Sequence, residues 1–177
     1  NSLRDAIVAA LNFNIFARHA DRVRMANIAQ MVNVLQAMIL TDGPKMVLTP
    51  TYDVFKMYVP FQDATFIPVS YDAGSYVHGD TTLPRLDAIA ARGKDGKLWL
   101  SLTNLDPNHP LDVDAAALGL KATSANGQTL NAPKVDSVNT FDHPRTVSPK
   151  PISGTLKNGA IVLTLPPASV TVVSLQP

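Results

Sequence analysis

The sequence predicts two fold types in one chain, an α/β segment over residues 1–62 followed by an all-β, jelly-roll-like sandwich over residues 63–177. Three observations carry this. Two helix patterns with one apolar run between them fill the first sixty residues. Beyond about Phe61 the helix signals stop, and short alternating runs separated by turn signals take over. A helix, one strand and a helix have no sheet to pair with, so their backbone and apolar faces need neighbours from elsewhere. The first segment is therefore expected to be the end of a barrel begun upstream.

Ser2-Leu3-Arg4-Asp5 resembles a capping box with Asp in place of Glu, and Leu3, Ile7, Ala10, Leu11, Asn14 and Ile15 then recur at helical spacing, which predicts a helix from about Leu3 to Arg18. His19-Ala20-Asp21 breaks it. Val23 to Ala29 reads as a short buried strand with the apolar richness of a parallel sheet. Gln30 to Leu40 reads as a loop or short helix at that strand's C-terminal end, where (β/α) barrels place active-site groups. Thr49-Pro50 supplies an N-cap and a Pro at the first helical position, opening a helix that ends near Pro60.

The strand candidates that follow are residues 65–69, 85–92, 98–104, 110–114, 117–124, 154–156, 160–165 and 169–175. Asp95-Gly96, Asn158-Gly159 and Asn126-Gly127 are read as turns, since these pairs tolerate the positive φ of tight hairpins. Val135 to Lys150, with Pro144 and Pro149 and little periodicity, reads as a long surface connection.

Composition excludes several function classes. Fifteen basic residues against fourteen acidic ones give a net charge of +1, and no Lys/Arg cluster exceeds a pair, so nothing favours nucleic acid or an anionic membrane as partner. Apolar stretches are interrupted well short of a spanning length, and the first residues lack a signal-peptide pattern. The absence of Cys rules out disulfides and thiolate metal sites and leaves localisation open. The chain opens on Asn1 with a helix already under way, which leads to the expectation of a fragment or a processed chain. All fourteen acidic residues are Asp, and there is no Glu.

His19, His78, His109 and His143 have no metal-site spacing and are read as structural or exposed, and Asp112 and Asp114 as a solvated strand face without the rest of a calcium loop. No nucleophile elbow, phosphate-cradling loop or dinucleotide fingerprint is present. Trp99, the only tryptophan, lies where apolar residues fill both strand faces, which favours a buried aromatic over a sugar platform. Asn12, Asn14 and Asn33 are polar residues in apolar runs and either hydrogen-bond within the protein or face a ligand; for the two helical ones the former is favoured.

The segment from Leu3 to Phe16 and the run His19-Ala20-Asp21-Arg22-Val23-Arg24-Met25-Ala26-Asn27-Ile28-Ala29-Gln30-Met31-Val32-Asn33-Val34 resemble the end of the catalytic barrel in glycoside hydrolase family 51 α-L-arabinofuranosidases. Met38 to Thr41 and Val47 to Tyr58 are similar to that family's last barrel helix and its approach, and the rest matches its C-terminal sandwich more loosely. The resemblance implies the end of a (β/α)8 barrel followed by a β-sandwich. It also implies removal of terminal arabinofuranosyl groups from arabinoxylan, arabinan and their oligosaccharides with retention, and no metal or organic cofactor. Retention uses two carboxyl groups about 5 Å apart, and in this family both are Glu on earlier barrel strands. With no Glu here, the catalytic pair is expected in an upstream portion, the nucleophile strand ending just before Asn1, and this chain alone is expected to be inactive.

The family also places a Gln at the end of the last barrel strand, bonded to the innermost arabinose. Gln30 holds the matching position, with a Gln that satisfies barrel-end backbone as the alternative, and Asn33 is the candidate to hold the loop that carries it. A homo-oligomer is implied too. The alternative from another class is a non-catalytic sugar-binding or assembly module, which should fold alone and bind oligosaccharide.

Overall fold

The structure, a computed structural model, describes residues 1–29, 31–117, 122–158 and 160–176. Helix α1 runs Leu3–Arg18 as the spacing predicts. Its start is fixed by Asp5, whose carboxylate accepts the Ser2 N–H at 2.6 Å and the Ser2 hydroxyl at 3.0 Å. The free N–H groups of Leu3 and Arg4 donate to the carbonyls of Ser137 and Val135, so a distant loop satisfies donors that a helix end leaves unpaired. Leu3, Ala6, Ile7, Ala10, Asn14 and Ala17 form the buried face.

Residues 23–28 adopt no regular structure, which corrects the strand expected over Val23–Ala29. An apolar run becomes a strand only where a neighbour completes its hydrogen-bond ladder, and none pairs with it among the described residues. A hairpin that the sequence reading missed follows, β1 (Ile39–Asp42) and β2 (Lys45–Leu48), with Asp42 opposite Lys45 and Gly43 at φ 55° in the turn. Helix α2, Pro50–Met57, starts where expected, with Thr49 at the N-cap position and Pro50 at the first helical position, but the Thr49 hydroxyl caps no helix N–H and donates to the Ala37 carbonyl instead; the helix ends in a 3-10 turn, Val59–Phe61.

The remainder is β structure, as expected. Its strands are β3 (Thr65–Ile67), β4 (Ser75–His78), β5 (Thr81–Pro84), β6 (Leu86–Arg92), β7 (Leu98–Asn104), β8 (Leu111–Ala115), β9 (Ser124–Asn131), β10 (Ser148–Lys157), β11 (Ala160–Leu165) and β12 (Ser169–Gln176). Strands β4 and β5 form a separate ribbon. The other eight make one antiparallel sheet in the order β3-β6-β7-β12-β9-β10-β11-β8, curled so that β6 and β7 face β8 and β11 across a core of Leu86, Leu100, Leu102, Leu111, Ile161 and Leu163.

The opposite sheet face carries a second core, in which Ile89, Ala91, Leu130, Val170 and Val172 meet Leu3, Ala6, Ala10, Val54 and Phe61 from the two helices. Strands β6, β7 and β12 are thus covered on both faces. Their nearly unbroken apolar runs follow from that, because alternation appears only where one face meets water.

Two further expectations are corrected by local physics. Asn126-Gly127 is no turn but the middle of β9. A Cβ on Gly127 would lie 2.0 Å from the Val172 carbonyl oxygen, so the glycine is there to let β12 approach. Strand β10 begins at Ser148, inside the expected connection, and its Pro149 and Pro151 stand opposite Leu130 and Gln128 of β9. Over that stretch β10 has no partner on its other side among the described residues, since β11 pairs only with residues 155–157, and proline is tolerated on an unpaired edge. The expected strand over residues 117–124 lies partly outside the described residues, and Ser124 opens β9.

The turn at Asp95-Gly96 forms, with Gly96 at φ 77°, and Asn158 turns β10 into β11 at φ 52°. Trp99 is half-buried against the second core, and its indole N–H donates to the Asp95 carboxylate at 3.2 Å. No helix among the described residues is long and apolar enough to cross a membrane.

Candidate functional site

The residues singled out by sequence lie after α1. Gln30 lies outside the described residues. The loop that follows it, residues 31–38, is closed by backbone bonds from Met38 and Ile39 N–H to the Met31 carbonyl, and from Asn33 N–H to the Ile39 carbonyl. Asn33 sits at φ 55°, a conformation that Asn adopts more readily than most residues. Its side-chain amide donates to the Thr41 hydroxyl at 2.9 Å and its carbonyl accepts the Thr41 N–H at 2.8 Å, pinning the loop to β1.

Three contacts fasten the far end of this loop. The Gln36 amide donates to Asp5 at 3.3 Å, the Asn1 amide donates to the Ala37 carbonyl at 2.5 Å, and the Thr49 hydroxyl donates to that same carbonyl at 2.9 Å. Between these anchors Leu35 is 93% exposed.

Residues 23–28 run beside two open clefts. One, of about 240 Å³, is lined by Phe13, Phe16, Met25, Phe55, Tyr58 and Phe61; the other, of about 270 Å³, by Val8, Asn12, Phe16, Ala26, Ile28 and Phe55. Their walls are aromatic and aliphatic, with Phe13 edge-on to Phe55 at 4.7 Å. Neither cleft brings two carboxylates together, so they offer binding surface and no acid–base pair.

Asn14 is fully buried, and its amide donates to Asp87 of β6 at 2.5 Å while its carbonyl accepts the Tyr58 hydroxyl at 2.8 Å. Tyr58 also pairs with the Ser101 hydroxyl, and Arg18 with the other Asp87 oxygen at 2.8 Å. Burial raises the Tyr58 pKa, so its hydroxyl stays protonated and acts as a hydrogen-bonding hub. Sequence reasoning flagged Asn14 but found neither Tyr58 nor Asp87. Asn12 is exposed and donates to the Val8 carbonyl of its own helix.

Asp53 and Asp106 are among the perturbed carboxyls. Burial pushes Asp53 up to about 6 against the pull of Lys56 and Arg145. Burial also acts to raise Asp106, but the N–H of Asn108 and the His109 side chain and N–H outweigh it and leave its pKa lowered. His19, His78, His109 and His143 are all exposed. Among the described residues no three His or Asp groups are placed to hold a metal ion. Asp112 accepts the Thr164 hydroxyl at 2.6 Å from the solvent side of β8.

Comparison with known proteins places this arrangement. The family model described as the alpha-L-arabinofuranosidase C-terminal domain matches residues 1–169. An intracellular exo-alpha-L-arabinofuranosidase of Bacteroides ovatus is 42% identical over 99% of this chain, which spans 35% of that protein. The crystal structure of the GH51 arabinofuranosidase from Xanthomonas axonopodis pv. citri superposes with a TM-score of 0.96 at 50% identity, over 99% of this chain and 36% of that one. The thermostable GH51 alpha-L-arabinofuranosidase from Thermotoga petrophila RKU-1 gives 0.86 at 27% identity, covering 99% and 39%. This chain therefore spans about a third of the length of such relatives, and it belongs to the α-L-arabinofuranosidase C-terminal domain family of glycoside hydrolase family 51.

Proposed function

We propose that this chain is the C-terminal part of a retaining, exo-acting α-L-arabinofuranosidase. An upstream portion supplies most of a (β/α)8 barrel and both catalytic Glu residues. In this reading residues 1–62 complete the barrel, residues 63–177 form the sandwich beside it, and the longer protein releases terminal arabinofuranosyl groups from arabinan, arabinoxylan and their oligosaccharides. It works without metal or cofactor, as a homo-oligomer. The full absence of Glu, in a chain whose relatives are named arabinofuranosidases, supports placing the carboxylates upstream. This chain alone is inactive in the same reading.

The observation that carries the proposal is the second apolar face of α1. One face is buried on the sheet, while Val8 and Ile15, on the other, are 51% and 48% exposed, with Leu11 half-covered between them. Helices apolar on both sides belong in the interior of a larger fold. Met25, 76% exposed in the unpaired run 23–28, asks for the same cover. A barrel strand and helix from upstream satisfy both needs, one by completing a ladder and one by packing on the stripe.

Within the site, Gln30 holds the arabinose at the innermost subsite, offering a donor and an acceptor to adjacent hydroxyls without a charge that would disturb the carboxyl pair. Asn33 keeps the loop that follows in register with β1 through Thr41. Hydrogen exchange in the run beside that face tests the need for an upstream neighbour. The amides of Arg24 to Ile28 should exchange within seconds in this chain alone and be strongly protected in the full-length enzyme. Fast exchange in both would remove the barrel-end reading.

A further inference from the structure

Four Asp-Gly or Asn-Gly pairs stand in the sequence, at 42–43, 95–96, 126–127 and 158–159. Such pairs react with themselves. The glycine nitrogen, which no Cβ shields, can reach the side-chain carbonyl carbon before it and close a five-membered imide. Closure needs both groups free to turn, so a hydrogen bond on either one opposes it. Gly159 lies outside the described residues. Asn126-Gly127 sits in the middle of β9 between β10 and β12, with Gly127 pressed on the Val172 carbonyl, which leaves no room to turn. At Asp95-Gly96 both reacting groups are committed. The Gly96 N–H donates to the Gly93 carbonyl at 3.0 Å, and the Asp95 carboxylate accepts the Lys97 N–H at 3.0 Å and the Trp99 indole N–H at 3.2 Å. Asp42-Gly43 has neither restraint. Asp42 is exposed at the end of β1, and Gly43 turns at φ 55° with open space where a Cβ would stand. Among the described residues nothing hydrogen-bonds the Asp42 carboxylate or the Gly43 N–H.

We infer that Asp42-Gly43 is a site of spontaneous isomerisation to isoaspartate. The lone pair of the Gly43 nitrogen attacks the Asp42 Cγ and the N–Cγ bond forms. One carboxyl oxygen departs as water, taking the amide proton and one proton from solvent. A second water then opens the imide at the Asp42 main-chain carbonyl carbon, returns a proton to the nitrogen and leaves that carbon as a free carboxylate. The chain now runs through Cγ and is one methylene longer, with mass and charge unchanged. The change falls inside the turn that Asp42 and Lys45 close. It lies one residue beyond Thr41, whose hydroxyl and N–H hold Asn33 at 2.9 Å and 2.8 Å, so it alters the hairpin to which the loop over residues 31–38 is pinned.

The test is made in the full-length enzyme, held at mildly acidic pH and sampled over time. Methyl transfer by a protein isoaspartyl methyltransferase reads the amount of isoaspartate, and electron-transfer fragmentation of the tryptic peptides reads its position. Isoaspartate should accumulate several-fold faster at Asp42 than at Asp95. In urea, where hydrogen bonds hold neither pair, the two should form it at similar rates. Asp42→Glu, which would have to close a six-membered ring, should lose the signal at this position.

Equal rates at Asp42 and Asp95 in the folded enzyme overturn the assignment, as does a folded enzyme that gains no isoaspartate at Asp42. The same ratio of rates in urea as in the folded state also overturns it, since the difference would then lie in the local sequence and not in the fold.

Discussion

Asn14 of α1 and Asp87 of β6 lie 2.5 Å apart, amide to carboxylate, though 73 residues separate them in sequence. Around this pair, Tyr58 of the α2 end, Ser101 of β7 and Arg18 complete one polar network where both helices meet the sheet. Every member has a partner, so the network fixes the helices' register on the sheet at little penalty. Asn14→Ala leaves Asp87 and Tyr58 each short of a partner, and should destabilise by about 2–3 kcal/mol, read from the midpoint of urea unfolding. Tyr58→Phe removes one hydroxyl and should show about 1–2 kcal/mol. A neutral Asn14→Ala would mean that the network contributes nothing.

Particular elements show what was legible and what was not. The bounds of α1 and the start of α2 at Pro50 follow from local chemistry, and β7 and β11 match their expected ranges because their turns and apolar runs are local signals too. Strand β9 was not legible, because its Asn126-Gly127 takes its meaning from the β12 backbone across the sheet. Residues 23–29 carry the composition of a strand without a partner to make them one. The amide of Asn14 announced a buried polar contact, but no sequence signal named Asp87. Asp5 was found as part of a capping box and Asn33 as a polar residue in an apolar loop; Gln36 was not, since it looks ordinary until the loop folds back on the helix.

Gly127→Ala should be among the most damaging single changes. Its Cβ would stand 2.0 Å from the Val172 carbonyl oxygen and 2.6 Å from the Val173 Cα, and both are backbone atoms of a central strand that cannot swing aside. A loss of about 3 kcal/mol or more is expected. Gly96→Ala, at φ 77° in open space, should show only about 1 kcal/mol. Equal effects at the two positions would contradict the close approach of β9 and β12.

Asp53 gives a pH dependence of known sign. Its folded pKa, near 6, lies above the ordinary value of 3.8, so between those limits the folded state holds a proton that the unfolded state has released. Stability should therefore fall as pH rises from about 4 to about 6 and stay at the lower level above that. Asp53→Asn should flatten this part of the profile and, with allowance for the part of the side chain that water reaches, raise stability at pH 7 by about 1 kcal/mol. A stability that rises through this window, and equally so in wild type and variant, would show that Asp53 is not buried as described.

Gln30→Ala in the full-length enzyme should lower kcat/KM by about 10- to 100-fold on a simple arabinofuranoside, the loss of one or two substrate hydrogen bonds. Steady-state kinetics at several substrate concentrations separates this from a folding defect. An unchanged enzyme would take Gln30 out of the subsite.

The central claim is that this chain shapes a site whose acid–base chemistry comes from elsewhere, and one assay addresses it directly. The purified chain and the full-length enzyme are each given a chromogenic arabinofuranoside at equal molar concentration. The account predicts release by the full-length enzyme and none above background from the chain, which has no Glu to act as nucleophile or acid. Turnover by the chain alone, surviving repeated purification, would contradict it and move the catalytic residues into these 177 positions.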